Sequence, residues 1–219
     1  QYFCLQIDPR KVDISRLESL PQDLLGIIVS KVVDASTDDY INCILSCKEL
    51  GASADDKRIL QKLNLAPLVK KPLLSIQYVP LMKKTLAKNN LDAHYIKGII
   101  RYFLLTNSVT GLHHLGVSAN AGKLEVIYLY AIILCRGRVV EGKKYLNKLK
   151  WTEDTTLVNN CWKKIKISLH GIRVARKRCY LTSLRHMKPT ATFCHLKDMK
   201  TTCGRCFYYK QMYKFIFMI

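Results

Sequence analysis

The feature that most constrains this sequence is an internal repeat with an offset of 33 residues. Residues 92–100 (DAHYIKGII) align with residues 125–133 (EVIYLYAII), and Asn89 aligns with Gly122 at the turn before each segment. A period near this length is typical of helix–turn–helix solenoids, whose repeats bury their apolar faces against one another. Two copies are fewer than the roughly three that form an independent solenoid, so we expect flanking helices to cap the stack.

The two aligned segments share a small residue, Gly98 in the first copy and Ala131 in the second. We expect two helices to approach closely at both positions, because a larger side chain would push them apart. The repeat, with helical spacing of apolar residues elsewhere, predicts an all-α fold. Its regions are a short three-helix module at 15–65, an α-solenoid-like repeat body at 66–150, and a loosely defined basic helical region with a cysteine-containing tail at 151–219.

The first module begins with a helix-start signal. Ser19 offers an N-cap, Pro21 stands at an early helical position, and Asp23 places an acidic group near the helix N-terminus. Apolar residues then recur at helical spacing: Leu24, Leu25, Ile28, Val32 and Val33. A second helix is predicted from Tyr40 up to Gly51, which can end it, and a third from Asp55 to Lys62. Three short helices form a marginal core, so we expect this module to need a partner or the rest of the chain for stability.

The segment from residue 20 to residue 50 resembles an F-box. It contains Leu20-Pro21-Gln22-Asp23-Leu24-Leu25, then Asp39-Tyr40, then Ser46-Cys47-Lys48-Glu49-Leu50. The resemblance implies binding to the Skp-type adaptor of a cullin–RING ubiquitin ligase. The residues expected to form the adaptor-binding face are Leu20, Pro21, Leu24, Ile28, Val32, Ile44, Leu45 and Cys47. The alternative is that the Leu-Pro pair only starts a helix whose apolar stripe is core.

The repeat body resembles that of a plant F-box group with tetratricopeptide-like helical repeats. One unit resembles a Sel-type repeat, on the residues Leu112-His113-His114-Leu115, Ala119, Gly122, Tyr128-Leu129-Tyr130-Ala131 and Arg136-Gly137. Such repeats bind proteins or peptides on their concave face, so the resemblance implies that the body holds a target protein. His113 and His114 would point about 100° apart on a helix, so we interpret them as packing or surface residues.

Charge is distributed unevenly along the chain. Residues 1–60 hold 7 Lys/Arg against 10 Asp/Glu, residues 61–150 hold 15 against 3, and residues 151–219 hold 14 against 3. We expect the basic body to select an acidic or phosphorylated segment through charge-assisted contacts. The candidate target-binding residues, on or just after the second helices of the repeats, are Lys97, Arg101, Arg136 and Arg138. The alternative is that these side chains are solvated and keep the protein soluble.

A second function class is a basic nucleic-acid-binding helical protein. The basic excess after residue 60 favours it, as does the run Arg173-Val174-Ala175-Arg176-Lys177-Arg178. That run could equally be a nuclear import signal or a solvated face. Aromatic side chains are not interleaved with it, as stacking platforms for bases would require. We therefore regard nucleic acid as the less favoured partner.

The C-terminal region contains a Cys-x2-Cys pair, Cys203 and Cys206. Two thiolates at this spacing supply half of a tetrahedral zinc site. Residues that could complete it are Cys194 or His195 with Cys179 or His186. Their spacing matches no common zinc motif, so we expect free thiols and no cofactor, with structural zinc as the alternative.

The sequence carries no enzyme signature. It has no phosphate-binding loop, no Gly-x-Ser-x-Gly motif and no HExxH helix, so we expect a non-catalytic binding protein. The longest apolar run, residues 126–135, is too short to span a membrane, and we expect no membrane partner. Nine cysteines, an odd number, favour a reducing compartment, so we expect the protein in the nucleus and/or cytoplasm.

Overall fold

The computed structural model describes residues 19–35, 39, 40, 43, 57–190, 194–196, 198, 199 and 201–219. Every regular element in these ranges is helical and none is a strand, which confirms the all-α prediction. No helix in them is both long and apolar enough to cross a membrane. The chain divides into two compact units, residues 1–64 and residues 65–219.

The first unit is built on helix α1, Gln22–Ala35, against which helix α2, Lys57–Lys62, packs. Residues 40 and 43, within the predicted middle helix, and residue 39 just before it are also helical. Among the residues of this unit that the structure describes, the buried apolar side chains are Leu25, Val29, Tyr40, Ile59, Leu60 and Leu63.

The second unit contains the repeat helices. Its described elements are α3 (Ala66–Lys70), a 3-10 helix (Pro72–Tyr78), α4 (Val79–Ala87), α5 (Leu91–Ile99), a π-helical turn (Ile100–Leu104), α6 (Ser108–Asn120), α7 (Leu124–Leu134), α8 (Val139–Asn147), α9 (Thr155–Ser168), α10 (Arg178–Met187) and α11 (Phe207–Phe217). Helices α5 to α8 pack in sequence order, and α9 packs back against α7. Helix α7 is apolar on all sides and is therefore the central helix, with neighbours around it.

The predicted repeat register is present in this unit. Asn89 and Gly122, which the 33-residue offset aligns, both adopt left-handed backbone, with φ of 57° and 94°. Each lies two residues before a helix start, because α5 begins at Leu91 and α7 at Leu124. Glycine adopts this conformation readily and asparagine adopts it more often than most residues, so two residue types encode the same turn.

The close helix approaches predicted at the small residues are also present. A Cβ atom added at Gly98 would lie 2.7 Å from the Cγ of Leu115 on α6. In the second copy, a Cβ atom added at Gly142 on α8 would lie 2.7 Å from the carbonyl oxygen of Ala131. Both distances are too short for a real Cβ contact. The close approach of α5 and α6 therefore depends on Gly98, and that of α7 and α8, at the equivalent Ala131, depends on Gly142 of the facing helix.

The residues after 150 are more ordered than the loosely defined tail that the sequence predicted. Trp162 on α9 and Phe215 on α11 belong to the same apolar cluster as α7, so the predicted boundary at 150 does not divide the core. Trp151 stacks on Phe207, with ring centroids 3.9 Å apart. The Nε1 of Trp162 donates a hydrogen bond to the carbonyl oxygen of Ile219 at 2.7 Å. Aromatic side chains at helical spacing thus make residues 207–217 a regular, packed helix.

Candidate protein-binding surfaces

Helix α1 presents apolar side chains to solvent. Leu24, Ile27 and Ile28 are 47%, 53% and 38% exposed, while Leu25 and Val29 are fully buried in the first unit. Residues three and four apart are neighbours on a helix, so the three exposed side chains form one patch, here called the α1 outer face. Contiguous exposed apolar surface of this kind is typical of a protein-binding site. Ile27 was not among the predicted adaptor-binding residues, although its position three residues after Leu24 places both on the same side of a helix.

The α1 outer face includes two of the predicted adaptor-binding residues, Leu24 and Ile28. Pro21 is also exposed, and its carbonyl oxygen accepts the first backbone hydrogen bonds of α1. Leu20 and Val32 are half-buried. The other predicted residues of this face, Ile44, Leu45 and Cys47, lie outside the described residues.

A groove of about 450 Å³ lies along helix α6 in the second unit. Side chains along the whole of α6 line it, together with Tyr130 from α7 and Arg136 after α7. Val109 and Leu112 supply apolar contact surface, and Asn120 accepts a hydrogen bond from the Tyr145 hydroxyl at 2.7 Å. A mostly apolar groove with a few positioned polar groups has the character of a ligand-binding site.

The predicted target-binding residue Arg136 is held in a fixed orientation beside this groove. Its Nη1 donates a hydrogen bond to the Tyr102 hydroxyl at 2.8 Å, and its guanidinium carbon lies 5.4 Å from the centre of the Tyr102 ring. The Tyr102 hydroxyl is in turn 2.7 Å from the Tyr180 hydroxyl. A guanidinium carries five N–H donors, so anchoring one of them leaves others for a ligand.

The other predicted target-binding residues lie at two further places. Lys97 on α5 and Arg101 on the π-helical turn form a basic pair, in which partial burial and then the charges of Arg101 and Lys83 lower the pKa of Lys97. The Nε of Arg101 is buried and has no hydrogen-bond partner among the described residues. Arg138 differs, because its Nη1 lies 3.0 Å from Glu141 Oε2 in an exposed ion pair.

A histidine pair lies beside Lys97 and Arg101. His94 Nδ1 and His114 Nδ1 are 3.0 Å apart, so one ring donates a hydrogen bond and the other accepts it. Burial and then the neighbouring basic groups lower the pKa of His114 to about 4. The pair is therefore neutral at pH 7, and the positive charge at this place comes from lysine and arginine.

The C-terminal cysteines meet at the start of α11. The Sγ of Cys203 lies 3.6 Å from that of Cys206 and 3.7 Å from that of Cys194. Hydrogen bonds from the backbone N–H groups of Cys206 and Arg205 lower the pKa of Cys203 to about 6. Of the residues named from the sequence as further candidates, Cys194 lies beside the pair, whereas Cys179 lies on α10 outside the group.

Comparison with known protein families matches residues 71–170 to the family described as plant tetratrico peptide repeats. The matched segment runs from the 3-10 helix to just beyond α9, so it includes α5 to α8 and the groove along α6. No solved structure matches the chain significantly.

Three proteins of Arabidopsis thaliana are similar to this chain. F-box protein At2g35280 is 56% identical over 162 residues, which cover 74% of this chain and 99% of that protein. F-box protein At1g67340 is 28% identical over 55% of this chain and 33% of its own length. Putative F-box protein At1g67623 is 29% identical over 59% of this chain and 44% of its own length. The chain therefore belongs to the plant F-box proteins, and its body carries tetratricopeptide-like helical repeats.

Proposed function

We propose that this chain is the substrate-recognition subunit of a Skp–cullin–F-box ubiquitin ligase. Residues 20–50 bind a Skp-type adaptor, and through it a cullin–RING ligase, while the helical repeats bind a target protein. The chain performs no chemical step. It holds the target near the ubiquitin-transferring subunits and so raises the effective concentration of the target's lysines. The α1 outer face is the observation that carries this proposal, because it lies within the segment that resembles an F-box.

The α1 outer face suits a protein partner for an energetic reason. Fully burying a leucine or isoleucine side chain contributes about 1.5–3 kcal/mol, and three such side chains are partly exposed here. The described residues of the first unit bury six apolar side chains in a common core. A docked adaptor would extend that core across the exposed face of α1 and stabilise both proteins at the same contact.

Replacing Leu24 and Ile28 together by alanine is expected to weaken adaptor binding about 30-fold, or about 2 kcal/mol. The change removes two exposed apolar side chains from the contact and leaves the buried face of α1 intact. Titration calorimetry of the purified full chain with a purified Skp-type adaptor measures the affinity.

The matched control replaces Val140 and Ile167 by alanine, since these side chains are 72% and 52% exposed but belong to the second unit. Its adaptor affinity should equal that of the native chain. Native affinity in the Leu24→Ala/Ile28→Ala variant, at unchanged helix content, would refute adaptor binding by this face.

We assign target binding to the groove along α6 together with Arg136, Lys97 and Arg101. An acidic or phosphorylated segment would place apolar side chains against Val109 and Leu112 and an anionic group against Arg136. Lys97 and Arg101 add positive potential on the same unit, which speeds the approach of an acidic partner. The supporting observation is the fixed guanidinium of Arg136 beside an apolar groove.

Charge reversal at Arg101 and Arg136 is expected to weaken binding of acidic and phosphorylated peptides by at least about tenfold, while adaptor affinity stays unchanged. The control is Arg138→Glu, because Arg138 is already ion-paired at the surface and such pairs contribute little. Fluorescence anisotropy of labelled peptide pools at two salt concentrations measures the effect. If the chain bound random-sequence DNA more tightly than the peptides, and this binding weakened with salt, the result would favour a nucleic-acid-binding protein instead.

We further propose that the protein works in the nucleus and/or the cytoplasm. The basic run 173–178 supports this, because Arg173, Arg176 and Arg178 are exposed and the segment before α10 is not part of a helix. An exposed basic run is the kind of segment that a nuclear import receptor binds.

A further inference from the structure

Three cysteine thiols converge at the N-terminal end of α11. The sulfur atoms of Cys194, Cys203 and Cys206 all lie within 4.8 Å of one another. Cys206 is buried and the other two are half-buried. The three residues are here called the thiol cluster.

The spacing in the thiol cluster is that of ligands around one zinc ion. Zn–S bonds of about 2.3 Å at the tetrahedral angle place two sulfur ligands about 3.8 Å apart. The measured separations are 3.7 Å from Cys194 to Cys203 and 3.6 Å from Cys203 to Cys206. A disulfide would require about 2.05 Å, so these sulfur atoms are not bonded to one another.

The backbone around Cys203 and Cys206 forms a turn that directs an N–H group at sulfur. The N–H of Cys203 donates to the Sγ of Cys206 at 3.4 Å, and the N–H of Cys206 donates to the carbonyl oxygen of Cys203 at 3.1 Å, which closes the turn. The carbonyl oxygen of Cys203 accepts from the N–H of Phe207 at 3.0 Å, which starts α11. Such N–H donation stabilises thiolates, the form in which cysteine binds a metal.

A buried lysine attaches the connecting chain to α11. Lys210 is fully buried, and its Nζ donates hydrogen bonds to the carbonyl oxygens of Asp198, at 2.5 Å, and Thr201. Both acceptors lie between Cys194 and Cys203 in the sequence. A buried ammonium group is costly unless it is hydrogen-bonded, so these contacts fix the chain relative to the helix. The thiol cluster is therefore held in place by the start of α11 and by the connecting chain that Lys210 attaches to this helix.

Packing alone does not account for the thiol cluster. Cys135 and Cys161 show what packing cysteines look like in this protein, since they are 1% and 3% exposed and lie in the apolar core. Free cysteine in that setting acts as a small hydrophobic side chain. Cys194 and Cys203 are half-buried and face each other, an arrangement that buries little apolar surface. The geometry thus favours the alternative to the free thiols expected from sequence.

We propose that Cys194, Cys203 and Cys206 bind a structural Zn²⁺ ion with His195 as the fourth ligand. His195 directly follows Cys194, and it is exposed and outside any helix, so its ring is free to turn toward the three sulfur atoms. Three cysteines and one histidine are a common ligand set for structural zinc. Binding deprotonates the thiols, and the protons pass to solvent. The ion would hold the segment 194–206 on α11, a role independent of the proposed ligase function.

The first test uses the native full chain. Expressed in zinc-supplemented medium and desalted, it should contain about one zinc ion per chain by elemental analysis. After chelation, added Co²⁺ should give the absorption of tetrahedral, thiolate-bound cobalt. A folded chain that is purified without zinc and gives no such cobalt spectrum would overturn the proposal, whatever the behaviour of any variant.

The second test compares cysteine variants. Cys203→Ser is expected to retain less than about one tenth of the zinc, and His195→Ala to bind zinc at least about tenfold more weakly, since each removes a ligand. The control is Cys179→Ser, because Cys179 is an exposed cysteine on α10 outside the cluster. Native zinc content in Cys203→Ser would overturn the site, and native affinity in His195→Ala would overturn the assignment of the fourth ligand.

Discussion

Replacing Phe215 by alanine is expected to lower the free energy of unfolding of the second unit by about 3–5 kcal/mol. Phe215 is fully buried, and its ring centroid lies 5.6 Å from that of Tyr180 and 6.2 Å from that of Phe103. Truncation removes its apolar contacts and leaves a cavity that its neighbours fill only in part. Urea unfolding followed by tryptophan fluorescence measures the change, because both tryptophans, Trp151 and Trp162, lie in this unit.

The matched control is Phe217→Ala, two residues further along α11. Phe217 is half-buried, with the guanidinium of Arg176 5.0 Å from its ring centre. Its loss should lower the free energy of unfolding by about 1 kcal/mol, as expected for a partly solvated ring with one cation–π contact. Equal effects of the two substitutions would contradict the packing of α11 into the core.

Phe215 also matters for the groove, through a chain of contacts. Its ring packs against Tyr180, whose hydroxyl lies 2.7 Å from that of Tyr102, and Tyr102 accepts the hydrogen bond that orients Arg136. The helix that the sequence suggested was a tail therefore supports the cation proposed to bind the target. We expect Phe215→Ala to weaken peptide binding even under conditions where the chain remains folded.

The repeat could be predicted from sequence because its signals are local. A turn needs a residue that tolerates positive φ, and Asn89 and Gly122 occupy that place in both copies. A close helix approach needs a small residue, and Gly98 meets that condition. Both requirements depend on one residue and its immediate neighbours, so a sequence offset of 33 was sufficient to find them.

The α1 outer face could be predicted only in part. The apolar stripe of α1 contains two pairs of residues at helical spacing, Leu24 with Ile28 and Leu25 with Val29. From the sequence alone, either pair could have faced the core. Which pair is buried depends on the packing of α2, a contact with residues more than twenty positions away. Periodicity shows that a helix has an apolar side, but it does not divide that side between a core and a partner.

The packing of helix α11, and the choice of Cys194 over the other candidates for the thiol cluster, could not be predicted because the contacts that decide them are distant in sequence. Lys210 and Gln211 look like solvent-facing residues, yet both are buried. Gln211 accepts a hydrogen bond from the Tyr128 hydroxyl at 3.1 Å, across 83 positions of the chain. Cys194 joins Cys203 through a loop whose path depends on the buried Lys210. No local pattern encodes such contacts.

Replacing Gly111 by alanine is expected to lower the free energy of unfolding of the second unit by about 3 kcal/mol. In an open helix the same change would instead raise the free energy of unfolding, by at most about 1 kcal/mol. A Cβ atom at Gly111 would lie 2.6 Å from both the backbone nitrogen and the Cβ of Tyr102. Backbone atoms cannot rotate away, so α6 must move off the π-helical turn. The same urea unfolding experiment measures the loss.

Gly116→Ala on the same helix separates this steric effect from helix propensity. Its Cβ would lie 3.3 Å from the ring of Tyr130, a side chain that can shift by a few tenths of an ångström. The gain in propensity and the small displacement should nearly cancel, giving a change within about 1 kcal/mol. If Gly111→Ala were equally mild, α6 would not be in backbone contact with residue 102. The Tyr102 hydroxyl that orients Arg136 would then not be fixed by the packing of these two elements.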